Sequence, residues 1–309
     1  MPKKIRILQI SIIAVAAAFA FQTAVAQNEG KTGSGAEAKT AAAGETMDRA
    51  RVLRSAAEAL GMVRWSDIGA GATRLPAIDI VNTMEIFASG TVYSGGQPST
   101  AEYHAALAYI PAAMRVEITR KGAGDASQQT IQTVRENYAW NESEIGAGLI
   151  PGKGTATPAM PAAKSRLLQL WILPYGVVKA AIAAGDKTKL SMENGATVIT
   201  FPLSGNLAGI TVKATLDSKN LVTKVETRPD NPALTNMVTE TEYSDYADHG
   251  EVLTDIKSPG HIVEKQAGRP ALDLQVKMVN ANDPYLVFPV PPNVKAATTE
   301  RSASGTGGI

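Results

Sequence analysis

Alternating apolar and polar residues fill most of the chain and predict antiparallel β-strands. In segment 83–93, for example, Met84, Ile86 and Ala88 recur at every second position. Because successive side chains of a strand point to opposite faces, this alternation implies one buried face and one hydrated face. The predicted strands are 83–93, 113–120, 130–140, 197–203, 210–216, 221–227, 238–246, 251–257, 261–266 and 272–280.

Other segments show the 3.6-residue spacing of helices instead. The predicted helices are 46–60, 164–172 and 175–184, with a short one around His104. Thr46 can cap the first of these helices, and Gly61 follows its last apolar position. Pro174 forces a break between the two central helices. Both central helices are apolar on more than one side, so we expect other elements to cover them.

Strands in one antiparallel order, with helices inserted near the middle of the chain, indicate the α+β class. The two ends of the chain differ in composition from this region. Residues 1–26 combine a basic start, an apolar stretch and small residues, an order typical of an export signal cleaved after Ala26. Residues 27–45 and 296–309 have few large apolar side chains and are predicted to be a disordered linker and a disordered tail. We therefore expect one domain at 46–295, periplasmic or secreted, without a transmembrane span after signal removal.

Charge and cysteine content limit the classes of function. The chain carries 30 basic and 29 acidic residues and has a net charge of +1. This near-neutral balance provides no electrostatic basis for binding nucleic acid or an acidic membrane surface. The absence of cysteine excludes disulfides, thiolate metal ligands and a cysteine nucleophile. An exported chain of this kind depends on its apolar core for stability.

Four local motifs carry a resemblance to a known family. They are YAWN at 138–141, LWILPYG at 170–176, NLVTKVET at 220–227 and TETEYSDY at 239–246. The order of the elements, with an N-terminal helix, three strands, a helical insert and a long meander, resembles the LolA-like periplasmic lipoprotein-carrier half-barrel. More narrowly, the four motifs resemble the N-terminal domain of exported metallo-β-lactamase-fold hydrolases over about residues 46–294, here without the catalytic domain. The resemblance implies a large curved antiparallel sheet, a half-barrel of roughly ten strands, with helices packed on the concave face.

The hydrolase family depends on a His-x-His-x-Asp-His zinc motif, which this sequence lacks. Its three histidines, His104, His249 and His261, are far apart, so zinc hydrolysis is not transferred to this chain. We also find no serine nucleophile motif. His261 and Glu264 could form an acid–base pair, but a surface ion pair is the favoured interpretation.

One acidic segment is a weak candidate for a metal site, although no cofactor is expected. Its ligands would be Glu240, Glu242, Asp245 and His249, with Asp248 nearby. Carboxylates and an imidazole can bind a divalent cation. However, Glu240 and Glu242 lie on one face of a strand and Asp245 on the other, which favours a hydrated strand face.

Six apolar side chains are the predicted ligand-binding residues of the concave face. They are Trp140, Leu167, Trp171, Val177, Val178 and Ile182. The concavity of an open half-barrel is filled by its own helices, a partner or a lipid-like ligand. The leading hypothesis is an exported, non-catalytic binding module for an apolar ligand or a segment of an envelope protein. The alternatives are an accessory domain of a hydrolase whose metal-dependent domain is encoded separately, and a structural domain that pairs through an open sheet edge.

Overall fold

The computed structural model describes residues 49–67, 74–78, 81–121, 127–248 and 255–297. The predicted export signal, the linker at 27–45, most of the C-terminal tail and His249 lie outside the described residues. The predictions made for these segments therefore stay predictions.

The described residues form seventeen β-strands and four α-helices. The helices are α1 (49–59), α2 (Ala163–Ile172), α3 (Pro174–Ala184) and α4 (292–297). The strands before α2 are β1 (Val63–Asp67), β2 (Arg74–Ile78), β3 (Thr83–Ser94), β4 (Gln97–Tyr109), β5 (Ala112–Lys121), β6 (Ser127–Arg135), β7 (Tyr138–Glu142) and β8 (Ala156–Pro158). The strands after α3 are β9 (Lys189–Glu193), β10 (Ala196–Pro202), β11 (Ile210–Leu216), β12 (Val222–Pro229), β13 (Thr239–Ser244), β14 (Ala247–Asp248), β15 (Lys257–Ser258), β16 (His261–Gln266) and β17 (Arg269–Ala281).

Thirteen of these strands form one antiparallel sheet in the order β8-β7-β6-β5-β4-β3-β17-β16-β13-β12-β11-β10-β9. The sheet is open, since β8 and β9 stand at its two edges. Two meanders from the two halves of the chain meet at its centre, where β3 pairs with β17 from Val92 opposite Leu272 to Met84 opposite Ala281. Two further sheets, β1–β2 and β14–β15, have two strands each and are separate from the large sheet. The expected α+β class with a large antiparallel sheet is confirmed.

The sheet curves around the helix pair α2–α3. Helix α2 packs against β5 and β6, whereas α3 packs against β10. Strands β5 and β10 are eight places apart in the sheet order. A flat sheet would separate them by roughly 38 Å at the usual strand spacing, but two adjacent helices span only about 20 Å. Contact with both halves therefore requires a bent sheet with the helices on its concave face.

Two sequence predictions about the first meander are wrong. His104 lies in strand β4 and not in a short helix. The alanine-rich stretch around it favours a helix locally, but pairing with both β3 and β5 overrides that preference. The predicted strand 130–140 is two strands, β6 and β7, because Glu136 adopts a left-handed φ of 53° and reverses the chain.

The break between α2 and α3 shapes the interior. Leu173 is extended and Pro174 begins α3, so the two helices, with their flanking turns, meet at 95°. Gly176 permits the close crossing, because a Cβ there would lie 2.4 Å from the Leu170 carbonyl oxygen. Among the described residues no single helix has the length and hydropathy of a membrane span; only this bent pair does, taken together.

Apolar residues are buried on both faces of the sheet. The main core lies on the concave side, between the sheet and helices α1, α2 and α3. On the convex side, the segment before α4 covers β4 and β5, where Phe288 packs against Ala106, Ala108 and Ala113. The Arg135 guanidinium donates a hydrogen bond to the Phe288 carbonyl oxygen at 3.2 Å. The convex face is thus only partly hydrated.

We expect Tyr243→Phe to lower the free energy of unfolding by about 1–2 kcal/mol. The buried Tyr243 hydroxyl donates a 2.8 Å hydrogen bond to the Ile172 carbonyl oxygen at the end of α2, and phenylalanine would leave that oxygen without this donor. Urea unfolding measures the change. Tyr138→Phe is the control, because the Tyr138 hydroxyl forms no hydrogen bond with another described residue. Equal stabilities of the two variants would contradict the role of Tyr243.

Candidate functional site

An open pocket of about 260 Å³ lies beside the helix pair, between the two halves of the sheet. We call it the helix pocket. Its apolar wall consists of Leu167, Trp171, Ala180, Ala184, Leu203 and Leu207. Glu136, Ser204 and Asn206 supply polar groups to its lining. An apolar wall with a few polar groups is the usual composition of a site for a small organic molecule.

The sequences of α2 and α3 explain why space remains there. Leu167 and Trp171 are four residues apart and therefore share one face of α2. Ala180, Ala183 and Ala184 have the matching spacing on α3. Since an alanine side chain ends at Cβ, these positions cannot fill the space next to the Trp171 ring. The helix pocket therefore forms because the large Trp171 side chain of α2 faces small alanine side chains of α3.

The wall around Trp171 continues into an aromatic and cationic cluster. The rings of Trp171 and Tyr109 are tilted by 59° with centroids 5.7 Å apart. The Lys179 ammonium lies 4.7 Å from the centroid of the Tyr109 ring, within the range of a cation–π contact. Burial lowers the pKa of Lys179 to about 8. This cluster therefore places a titratable amine close to Trp171.

The structure brings only some of the predicted apolar residues to the helix pocket. Leu167 and Trp171 line it. Val177 and Val178 are 0% exposed and belong to the core of the protein. Ile182 is 39% exposed and does not line the helix pocket.

Trp140 lies on the opposite face of the sheet. Its neighbour Ala139 is part of the concave core, and alternation along β7 turns Trp140 to the convex side. There it packs against Val290 and Val294, and its indole donates a 2.8 Å hydrogen bond to Glu142. Trp140 therefore serves to cover the convex face and is not placed to touch a ligand in the concavity.

The acidic segment is mostly solvated. Glu240 accepts hydrogen bonds from Lys265 at 2.9 Å and lies 3.1 Å from the Lys224 ammonium, and these partners lower its pKa. Glu242 and Asp245 are exposed. Within the described ranges no group of three His, Cys, Asp or Glu residues could hold a metal ion. Glu240 therefore forms ion pairs with two lysines.

The predicted ion pair between His261 and Glu264 does not form. His261 Nε2 lies 2.7 Å from Asp273 on the adjacent strand β17. Glu264 points to the other face of β16 and is buried. The reason is the alternation of the strand, which separates positions three apart.

Sequence reasoning missed a charged cluster on the convex face, formed by Glu85 of β3, His104 of β4 and Glu117 of β5. His104 Nε2 lies 3.1 Å from Glu85, and Nδ1 lies 3.2 Å from Glu117. The Phe87 ring stacks on the imidazole at 4.2 Å. The only signal in the sequence is that these residues occupy the polar positions of three strands, and the strand register that joins them is not a local property.

The contact between His104 and Glu117 favours the charged form of each of these two side chains. The hydrogen bond to Glu117 raises the pKa of His104 above its usual value, against a smaller opposing effect of burial. The same bond lowers the pKa of Glu117, helped by Arg115. The contact between His104 and Glu117 therefore favours an imidazolium paired with a carboxylate.

Comparisons with known proteins concern the fold. No family model and no curated protein sequence matches the chain. Similar solved structures include a LolA superfamily protein from Nitrosomonas europaea, at 10% identity and TM-score 0.42, which covers 75% of this chain and 94% of that one. A DUF1329 family protein from Desulfovibrio piger has 8% identity and TM-score 0.44 over 79% of this chain and 95% of its own.

A third similar structure is a putative outer membrane lipoprotein-sorting protein domain from Vibrio parahaemolyticus. It has 10% identity and TM-score 0.44, and the match covers 77% of this chain and 95% of that one. The narrower resemblance, to the N-terminal domain of metallo-β-lactamase-fold hydrolases, stays a prediction.

We expect the coupling between His104 and Glu117 to depend on pH. The raised pKa of His104 means that its stabilising charge is present below about pH 6.5 and is lost as pH rises through the raised value. The lowered pKa of Glu117 means that its contribution is present above about pH 4.5 and is lost in acid. A double-mutant cycle of His104→Gln and Glu117→Gln should give about 1 kcal/mol near pH 6 and less near pH 8.5.

Urea unfolding at each pH measures this coupling. Glu102→Gln replaces Glu117→Gln in a control cycle, because Glu102 is exposed on β4 and pairs with Lys277 instead. The control coupling should stay near zero. A coupling between His104 and Glu117 that is the same at both pH values would contradict an interaction that depends on the charge of His104.

Proposed function

We propose that this chain is an exported, non-catalytic binding module that holds a small apolar, lipid-like ligand in the helix pocket. The observation that carries the proposal is the incomplete covering of the concave face. Helices α2 and α3 fill most of the concavity, but the three alanines of α3 leave an open space against Leu167 and Trp171. A pocket of this shape is best suited to a ligand with an apolar body and one polar end. The side chains of Ser204 and Asn206, which line the pocket, can reach that polar end.

The size of the pocket limits the occupant. Its volume of about 260 Å³ is near the lower end for pockets that bind small organic molecules, roughly 300–1,000 Å³. Burying about 200 Å² of apolar ligand surface would contribute roughly 5 kcal/mol before the cost of association. We therefore propose one short or partly inserted acyl chain, bound with modest affinity.

The sequence supports the place of action and the type of cargo. Residues 1–26 have the order of an export signal, so the proposed compartment is the periplasm or the cell exterior. The order of the elements, which resembles that of a lipoprotein carrier, agrees with an acyl cargo. No cysteine is needed for this task, since binding depends on shape, on apolar contact and on a few polar groups.

The test is binding of a fluorescent acyl probe, 11-(dansylamino)undecanoic acid, to the purified protein. We expect saturable binding, and we expect Ala183→Trp to weaken it by about tenfold or more, because the added ring would occupy the helix pocket. The matched control is Ala296→Trp, since Ala296 is also an exposed helical alanine but lies on α4, away from the pocket. Trp171→Ala, which removes part of the wall, should weaken binding several-fold.

Native mass spectrometry of the exported protein supplies an independent readout of a co-purified ligand. The proposal fails if the probe does not bind, or if Ala183→Trp and Ala296→Trp bind it equally. A co-purified peptide instead of a lipid would replace the lipid-like ligand by a segment of a partner protein.

A further inference from the structure

A second cavity inside the protein contains an acidic side chain that the proposed function does not use. It has a volume of about 40 Å³ and lies between the concave face of the central strands and the end of α2. Its polar lining consists of Thr241, Glu264 and Gln169, and its aromatic lining of Tyr103 and Tyr243. We call it the Glu264 cavity. Ile86, Leu173 and Ile262 also line a smaller, adjoining apolar space of about 10 Å³.

The strand register places Glu264 there. On β16, Glu264 stands opposite Thr241 of β13 on one side and opposite Leu272 of β17 on the other. Glu264 is 6% exposed and Thr241 is 1% exposed. Residues opposite each other on adjacent strands share a face, so the carboxyl and the hydroxyl both point into the concavity. The structure therefore buries two oxygen-bearing side chains side by side.

The described residues offer these two groups few partners. The Thr241 hydroxyl has no hydrogen-bond partner among the described residues. In the same part of the chain no Lys, Arg or His forms an ion pair with Glu264, and no lysine or arginine lines the cavity. Burial alone raises the pKa of Glu264 to about 7. Burying a carboxylate without a charged partner costs several kcal/mol, so its presence in the lining of a cavity requires an explanation.

We propose that the Glu264 cavity binds a small primary ammonium group, held by the Glu264 carboxylate together with the Thr241 hydroxyl. The lining offers acceptors and two aromatic rings but no positive charge, which is the chemistry that selects a cation. The volume admits a group a little larger than a water molecule. The ammonium belongs either to a free small amine or to the head of an alkylamine whose tail enters the adjoining apolar space.

The test is an NMR chemical-shift titration of the purified protein with ethylammonium chloride, with ethanol as the neutral probe of equal size. We expect ethylammonium to bind and ethanol to bind at least about tenfold more weakly. Glu264→Gln keeps the shape of the side chain and should weaken ethylammonium binding by about tenfold. Glu242→Gln is the matched control, because Glu242 is exposed on the other face of β13, and it should change nothing.

The pH dependence is a second readout. Ethylammonium should bind more weakly at pH 6 than at pH 8, because Glu264 is protonated below its pKa of about 7 and then carries no charge. The titratable groups that face Glu264 are Tyr103 and Tyr243, and burial, aided by the Glu264 charge, raises the pKa of both, so they stay neutral over this range. In Glu264→Gln the difference between the two pH values should vanish.

Further variants separate the possible outcomes. If Glu264→Gln does not fold, Thr241→Val takes its place, with a several-fold loss of ethylammonium affinity expected. Propylammonium distinguishes the two sources of the amine, because the adjoining space of about 10 Å³ admits about one further methyl group. Tighter binding than ethylammonium indicates an alkylamine head, and equal binding indicates a free amine. Ala183→Trp fills the helix pocket and should leave ethylammonium binding unchanged. Its effects on the dansyl probe and on ethylammonium therefore test the helix pocket and the Glu264 cavity separately. Equal binding of ethylammonium and ethanol, no binding of either amine, or an unaltered affinity in both Glu264→Gln and Thr241→Val would overturn it.

Discussion

The concave face of a thirteen-stranded open sheet has to be covered, and a single pair of helices covers most of it. Helices α2 and α3 touch strands from both halves of the sheet, which is possible because Pro174 breaks the helical segment and Gly176 lets the two pieces cross closely. The bend of the sheet and the bend of the helix pair therefore require each other. The two free edges are protected differently: β8 has only three residues and ends at Pro158, and β9 carries Lys189 and Glu193.

The helix pocket is a consequence of how the helices fill this concavity. A straight, uniformly large helix would seal the space between the two halves of the sheet. Instead, α3 presents alanines where α2 presents Trp171, and the mismatch in side-chain volume leaves the helix pocket. Stability and the proposed function thus depend on the same pair of elements. The buried Tyr243 hydroxyl, which holds the end of α2, links the floor of the sheet to this arrangement.

Charged side chains have different surroundings on the two faces of the sheet. On the convex face, the His104 imidazole contacts the carboxylates of Glu85 and Glu117, so its burial costs little. The charged forms of His104 and Glu117 are favoured there. On the concave face, Glu264 stands opposite Thr241 without a charged partner among the described residues, and burial shifts its pKa toward neutrality. A compensated cluster stabilises the fold, whereas an uncompensated buried carboxyl is a group that a ligand could satisfy.

The sequence by itself determined the α+β class, most strands of the second meander and the helix break at Pro174, because side-chain alternation, helical spacing and proline geometry act over a few residues. Only the tertiary structure decided the rest. Strand β4 around His104, the pairing of β3 with β17 and the position of Trp140 all depend on partners distant in the chain. Both faces of the sheet bury apolar side chains, so alternation shows that a residue is buried but not on which face. That choice depends on strand register and on what covers each face, and these are set by contacts between residues far apart in sequence.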